Sequence, residues 1–207
     1  GRRLVGVADL HGDFASAVQL LQGLGLVRRG APEITHDPET WTDLWAGGDA
    51  ILVQLGDAVD RGHEGQRIWK FLWALQDERK GDGEVVLLLG NHEAQLLAAT
   101  HGHDQDVTLE DKCTYTRAPM EDCVRAPRGA SFECRDSPGR EATAHDCFAH
   151  AWRHGFMGSQ VRKRFRENKM KVAHQVGDLL FVHAGWTPEA TKAVGAAAGR
   201  GGAGHVD

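Results

Sequence analysis

Three observations predict an α/β fold with at least some parallel strands. Four short apolar runs have the length and near-continuous apolar character of buried strands: "LVGVA" (Leu4–Ala8), "ILVQL" (Ile51–Leu55), "VVLLL" (Val85–Leu89) and "LLFV" (Leu179–Val182). Stretches with helical periodicity lie between them. Each run also leads straight into polar, glycine-bearing residues: "ADLHGD", "LGDAVDRG", "LGNHE" and "VHAG". In open α/β sheets, sites form in the crevice outside the carboxyl ends of the strands.

Taken in order, Leu4–Ala8 is the first expected strand. The stretch "FASAVQLLQGLGLV" then puts Phe14, Ala17, Val18, Leu21 and Leu24 on one side of a helix, with Asp13 as its N-cap. Ile51–Leu55 is the second strand. It is followed by "EGQRIWKFLWALQDERK", where Ile68, Phe71, Leu72 and Leu75 recur at helical spacing. Val85–Leu89 is the third strand, and "EAQLLAAT" opens another helix. Residues from about 101 to 149 break the pattern with Pro119, Pro127, Pro138, several glycines and mixed charge. They are expected to form a long insertion or lid rather than core. "QVRKRFRENKMK" reads as a basic helix with a solvated face, and Leu179–Val182 as the last strand. The tail, about 193–207, is rich in Gly and Ala and is expected to be flexible. No internal repeat is visible. The whole, 1–207, is expected to be a single partial domain, since the chain opens on Gly1 without Met and is strand-like by Leu4.

Composition narrows the function classes. The chain has 207 residues, 41% hydrophobic and 26% charged, enough for one domain with its own core. A net charge of −5 gives no bias toward nucleic acid or membrane surfaces. No apolar run approaches the roughly 18–20 residues of a membrane helix. The four cysteines, Cys113, Cys123, Cys134 and Cys147, all fall in the insertion and lack CxxC spacing. Free thiols and one or two disulfides both remain open; disulfides would require an oxidising compartment. The sequence assigns no localisation and no oligomeric state.

The four strand ends would gather Asp9, His11, Asp57, Asp60, Arg61, Asn91, His92, Glu93 and His183. Glycines beside them (Gly12, Gly56, Gly62, Gly90, Gly185) permit sharp turns and close backbone approach. Carboxylates, imidazoles and an amide oxygen without a thiolate make a mixed N/O donor set, suited to Mn, Fe or Zn. Asp9 and His11 are two apart and so point to one side of an extended chain, where both reach one cation. Asp57 is placed to bridge two cations, with Asn91 and His183 on the second. Paired metal ions are a device for hydrolysing phosphate esters. Glu93 begins a helix, where a carboxylate is favoured anyway, and is read as structural.

"DLHGD", "GDAVDRG", "GNHE" and "VHAG" resemble the signature blocks DxHG, GDxxDRG, GNHE and HGG or HAG of the phosphoprotein phosphatases, within the calcineurin-like metallophosphoesterases. The match runs in the family's order from Asp9 to Gly185. The long helix after "DRG", the polar insertion and "LFVHAGW" most resemble the Shewanella-like branch. The resemblance implies a sandwich of central β-sheets flanked by helices, here C-terminally truncated. It implies two divalent or trivalent metal ions, held by Asp9 and His11, bridged by Asp57, and completed by Asn91 and His183. It further implies His92 as general acid, Asp60 as its orienting partner and Arg61 as phosphate holder, with Asn91 also toward substrate. A water bridging the two ions would attack the phosphate directly, and the substrate would be a phosphorylated protein. Family members carry one more metal-binding His and a second phosphate-binding Arg after the HAG block. His205, in the Gly-rich "GHVD", is not expected to be that ligand. Two alternatives share these blocks: a diadenosine polyphosphate hydrolase, and a catalytically silent metal-binding module.

Overall fold

Apolar runs of four or five residues bounded by turn residues become strands, and the longer periodic stretches become crossover helices. The computed structural model describes residues 1–29, 41–98 and 107–192. β1 (Leu4–Val7), β2 (Ile51–Gln54) and β3 (Glu84–Leu88) pair in parallel, and β6 (Met170–Lys171) adds to the other edge of β3, also parallel. The connections run through α1 (Phe14–Gly23) and α2 (Gly65–Glu78), and α3 (Asn91–Ala98) follows β3. Asp13 caps α1 by accepting a hydrogen bond from the Ser16 amide at 3.0 Å. That bond holds its carboxyl below the ordinary value.

Because strand side chains alternate between faces, the sheet serves two cores. Leu52, Val85 and Leu87 face the larger core with α1 and α2, where Phe14, Trp41 and Phe71 pack ring against ring at 5.5–5.9 Å. Ile51, Val53, Val86 and Leu88 point the other way, against Val176 and Phe181 of the hairpin β7 (Ala173–Val176) and β8 (Leu179–Val182). All four residues expected on the buried side of α2, Ile68, Phe71, Leu72 and Leu75, are fully enclosed. Each such side chain contributes about 1.5–3 kcal/mol by leaving water.

Three expectations need correction. "LLFV" is not a parallel strand covered on both faces: β8 pairs antiparallel with β7, and Leu179 and Leu180 are 57% and 50% exposed. A continuous apolar run carries no information on which of its faces is covered. "QVRKRFRENKMK" is not one solvated helix. α7 (Phe156–Arg166) ends before Met170 and Lys171 enter the sheet, and the face is not wholly solvated. Arg164 is buried, pairs with Asp77 and stacks over the Trp73 ring. Finally, residues 107–149 do not stay outside the core.

That stretch folds as α4 (Leu109–Cys113), α5 (Met120–Arg125), a short pair β4 (Phe132–Glu133) and β5 (Glu141–Ala142), and the start of α6 (Ala144–Arg153). Val107, Tyr115, Cys134, Cys147 and Phe148 belong to the main core. The Trp152 indole donates to the Tyr115 hydroxyl at 3.1 Å. The four cysteines form Cys113–Cys123 and Cys134–Cys147 disulfides, with Cα separations of 5.9 and 5.2 Å. Cross-links let sparse apolar residues hold a packed position without long helices or strands. Residues 101–106 of the expected insertion, and the expected flexible tail 193–207, lie outside the described residues.

Candidate active site

Where β1, β2 and β3 end, the chain turns sharply. At these turns, His11, Asp57, Asp60 and Arg61 adopt φ of +41°, +53°, +65° and +65°. Left-handed backbone costs non-glycine residues about 1–3 kcal/mol, and it persists where the surrounding structure over-determines it. Two glycine pairs bring the loops into contact. A Cβ on Gly12 would fall into the backbone of Gly62, and one on Gly56 into the backbone of Gly90. Gly185, grouped with them by sequence, meets nothing within 4 Å. Backbone bonds seal the seams: the amides of Leu10 and His11 donate to the Asp57 carbonyl at 2.9 and 3.0 Å, and Gly62 donates to the His11 carbonyl at 2.9 Å.

These loops bring Asp9, His11, Asp57, Asn91, His92 and His183 to one place. The ligand atoms of His11, Asp57 and His92 all lie within 4.8 Å of one another, as do those of Asp9, Asp57 and His183. Asp57 belongs to both triads. The sequence groups Asp9 with His11, and their nearest atoms are 3.6 Å apart; His92 stands with His11 in the first triad as well. Asn91 Oδ1 lies 2.9 Å from His183 Nε2, which is also 3.4 Å from Asp57 Oδ2.

Hydrogen bonds to carbonyls define two of the imidazoles. A carbonyl only accepts, so His11 Nδ1 must donate to Val59 O (3.0 Å) and His183 Nδ1 to Leu55 O (2.8 Å). A neutral ring then presents the Nε2 lone pair of each to the crevice. His11 Nε2 is buried with no hydrogen-bond partner among the described residues. His183 Nε2 faces two further acceptor oxygens. Lone pairs of this kind, aimed at a shared space from rings anchored by carbonyl bonds, fit divalent cations.

His92 and Asp60 form a second unit. His92 Nδ1 is 2.8 Å from Asp60 Oδ2; Asp60 is fully buried and His92 is 4% exposed. The other nitrogen, Nε2, lies 3.7 Å from Asp57 Oδ2, toward the same crevice. Arg61, next to Asp60, is exposed. His205 lies outside the described residues.

Sequence reasoning missed the part played by Glu93. Its carboxylate is fully buried and accepts four hydrogen bonds, from the amides of Asp57, Ala58 and Gly90 and from the Trp69 indole, at 2.9–3.2 Å. It ties the end of β2 to the end of β3 and so holds Asp57 in place. Burial, reinforced by the charge of Asp57, pushes its carboxyl up, against the pull of the three backbone amides. One signal was available: the only acidic residue in "NHEAQLLA", one position after the site histidine. Asp111 on α4 was also missed. It is buried, and burial together with nearby Asp60 pushes its carboxyl up to about 8.

Comparison with known proteins accords with this geometry. An uncharacterized protein of Schizosaccharomyces pombe is 39% identical over 88 residues, 42% of this chain and 24% of that protein. Shewanella-like protein phosphatase 1 of Plasmodium berghei and Shewanella-like protein phosphatase 2 of Arabidopsis thaliana are each 35% identical over 92 residues. That is 44% of this chain and 22% and 20% of theirs. The chain thus spans about a quarter or less of the curated relatives it matches. In fold it resembles a mutant of a cold-active protein tyrosine phosphatase, with a TM-score of 0.60, 20% identity, and coverage of 94% of this chain and 45% of the other. The cold-active protein-tyrosine phosphatase of a psychrophilic Shewanella species gives 0.57 at 19% identity, covering 93% and 46%. The family model described as calcineurin-like phosphoesterase matches residues 2–189, a span that holds all four site loops, and the chain belongs to that family.

Proposed function

We propose that the chain carries the metal-binding and catalytic loops of a protein phosphatase that hydrolyses phosphate monoesters. Its substrates would be phosphorylated proteins. Residues 1–207 then belong to one metallophosphoesterase domain, with about 101–149 inserted between the third and fourth site loops. The observation that supports this most is the convergence of Asp9, His11, Asp57, Asn91 and His183, lone pairs inward, beside the His92–Asp60 pair. Names of relatives point the same way: two are Shewanella-like protein phosphatases.

In this reading Asp9, His11 and Asp57 hold one ion, and Asp57, Asn91 and His183 the other. Bound ions supply Lewis acidity, which neutralises phosphate charge and lowers the pKa of the attacking water. Asp60 accepts from His92 Nδ1 and fixes the ring. His92 Nε2 then gives its proton to the departing alkoxide oxygen. Arg61 and the Asn91 amide bind phosphate oxygens; a guanidinium matches two at once. The backbone bonds between the site loops keep these groups in position before substrate arrives.

The test is hydrolysis of a generic aryl phosphate after chelation and readdition of Mn²⁺. We expect metal-dependent turnover, and a loss of about 10²–10⁴-fold in kcat for His92→Asn with metal content unchanged. Turnover that survives both chelation and the substitution would overturn the assignment.

A further inference from the structure

A second recess is lined in part by the segment that follows Gly62. It is a cavity of about 440 Å³ between α2 and the α4–α5 region, and its lining includes Trp41, His63, Gln66, Lys70, Met120 and Arg135. Its lining is linked to the site along the chain. His63 is two residues from Arg61, and the Glu64 amide donates to the carbonyl of Gly12 in the first site loop. Two residues of chain span at most about 7 Å.

The charges in this recess are unbalanced. Glu64, its one acidic lining residue, is already engaged by Arg67 at 2.6 Å. Lys70 is partly buried with its ammonium 5.3 Å above the Phe156 ring, and no carboxylate lies within 4.0 Å of it among the described residues. Asp136 helps Lys70 only at longer range, and one of its oxygens accepts from the Phe156 amide at 3.2 Å. Arg135, at the rim, donates only to the Thr116 carbonyl among the described residues. Among the described residues, two cations thus face one cavity with no unengaged carboxylate on its lining, and Trp41 and Met120 supply apolar walls. An anionic ligand would meet both cations at once.

Given the phosphatase reading above, we infer that this recess binds an acidic side chain of the substrate polypeptide, two or three residues from the phosphorylated one. An extended peptide advances about 3.3 Å per residue, so that spacing carries a side chain from Arg61 past His63 into the recess. Lys70 and Arg135 pair with the carboxylate. The recess thereby sets sequence preference without touching the reacting phosphate.

The experiment uses the full-length protein and two readouts. Binding of fluorescein-labelled phosphopeptides, with Glu, Ala or Lys at the flanking positions, is followed by anisotropy on metal-free protein, where no turnover is needed. Turnover of the same peptides and of an aryl phosphate is measured with Mn²⁺. The Glu peptide should bind about tenfold more tightly than the Ala peptide, as expected for one charge-assisted contact. Lys70→Met with Arg135→Met should abolish that ratio and leave aryl phosphate turnover unchanged. Lys70→Glu should shift preference to the Lys peptide, a gain that misfolding cannot produce. Equal binding of Glu and Ala peptides would overturn the recess assignment while leaving the phosphatase reading intact. Preserved Glu preference with no turnover of any substrate would overturn that reading and keep the recess as a binding site.

Discussion

Glu93 shows how much one buried side chain can decide. Its four bond partners are all donors, so only a carboxylate, with acceptors at every position, satisfies them. Glu93→Gln keeps the shape and replaces an acceptor with an NH₂ group facing donors. We expect a loss of about 2–4 kcal/mol in stability, read by thermal or urea denaturation, and weaker metal retention after dialysis. A variant of native stability and native metal content would show that the loop junction tolerates a mismatched partner. Asp57 is the counterpart: its backbone is pinned by Glu93, one oxygen accepts from the His92 amide at 3.0 Å, and the other faces His183 and His92. Pinned on both sides, it can serve two ions without moving.

At the scale of elements, the region from Val107 to α6 departs most from what sequence pattern suggests. Its helices α4 and α5 have only five and six residues, too short to be stable alone, and its strands have two. The disulfides take over the work of regular structure. Each closes a short loop, 10 and 13 residues in sequence separation, and each is expected to add about 3 kcal/mol. Reduction should therefore lower the unfolding midpoint, and Cys134→Ser with Cys147→Ser should do so too, because that pair sits in the main core. A midpoint unmoved by reductant would mean that packing alone carries the region. Helix α4 also brings Asp111 beside Asp60. An acid raised to about 8 in the folded state, from about 3.9 when unfolded, keeps its proton while the unfolded chain loses it. Its contribution to stability is therefore intact below pH 4 and is lost progressively as pH rises toward 8. Asp111→Asn removes this dependence. Its advantage over the native protein, measured by melts of metal-free samples, should grow between pH 4 and pH 8 and then level off. An advantage that does not change with pH would contradict the raised acid.

For the whole molecule, the first three strands, the buried faces of α1 and α2, and the order of the four loops are all legible in the sequence because they rest on local pattern. Asp13 caps its helix because capping depends on three neighbouring residues. What stayed illegible depends on long-range partners: the exposed side of β8, the burial of Arg164 by Asp77, the junction at Glu93, and the carbonyls of Val59 and Leu55 that orient His11 and His183. A backbone carbonyl leaves no trace in a residue code, so an imidazole's anchor cannot be read from one chain. The parallel sheet is the device that joins these distant parts, since its strands all end on the same side. Among the described residues no helix is long and apolar enough to cross a membrane. If the sheet assembles the donor set, metal binding must be linked to folding of the chain as a whole. Mn²⁺ at 100 times its dissociation constant should then raise stability by about 2.7 kcal/mol, as for any ligand that binds only the folded state. The shift should vanish in Asp57→Asn, shared by both triads, and should shrink in His11→Gln or His183→Gln, each present in one. Differential scanning calorimetry of the chelated protein against Mn²⁺ concentration measures this without any substrate. A shift that survives Asp57→Asn would place the ion elsewhere in the molecule.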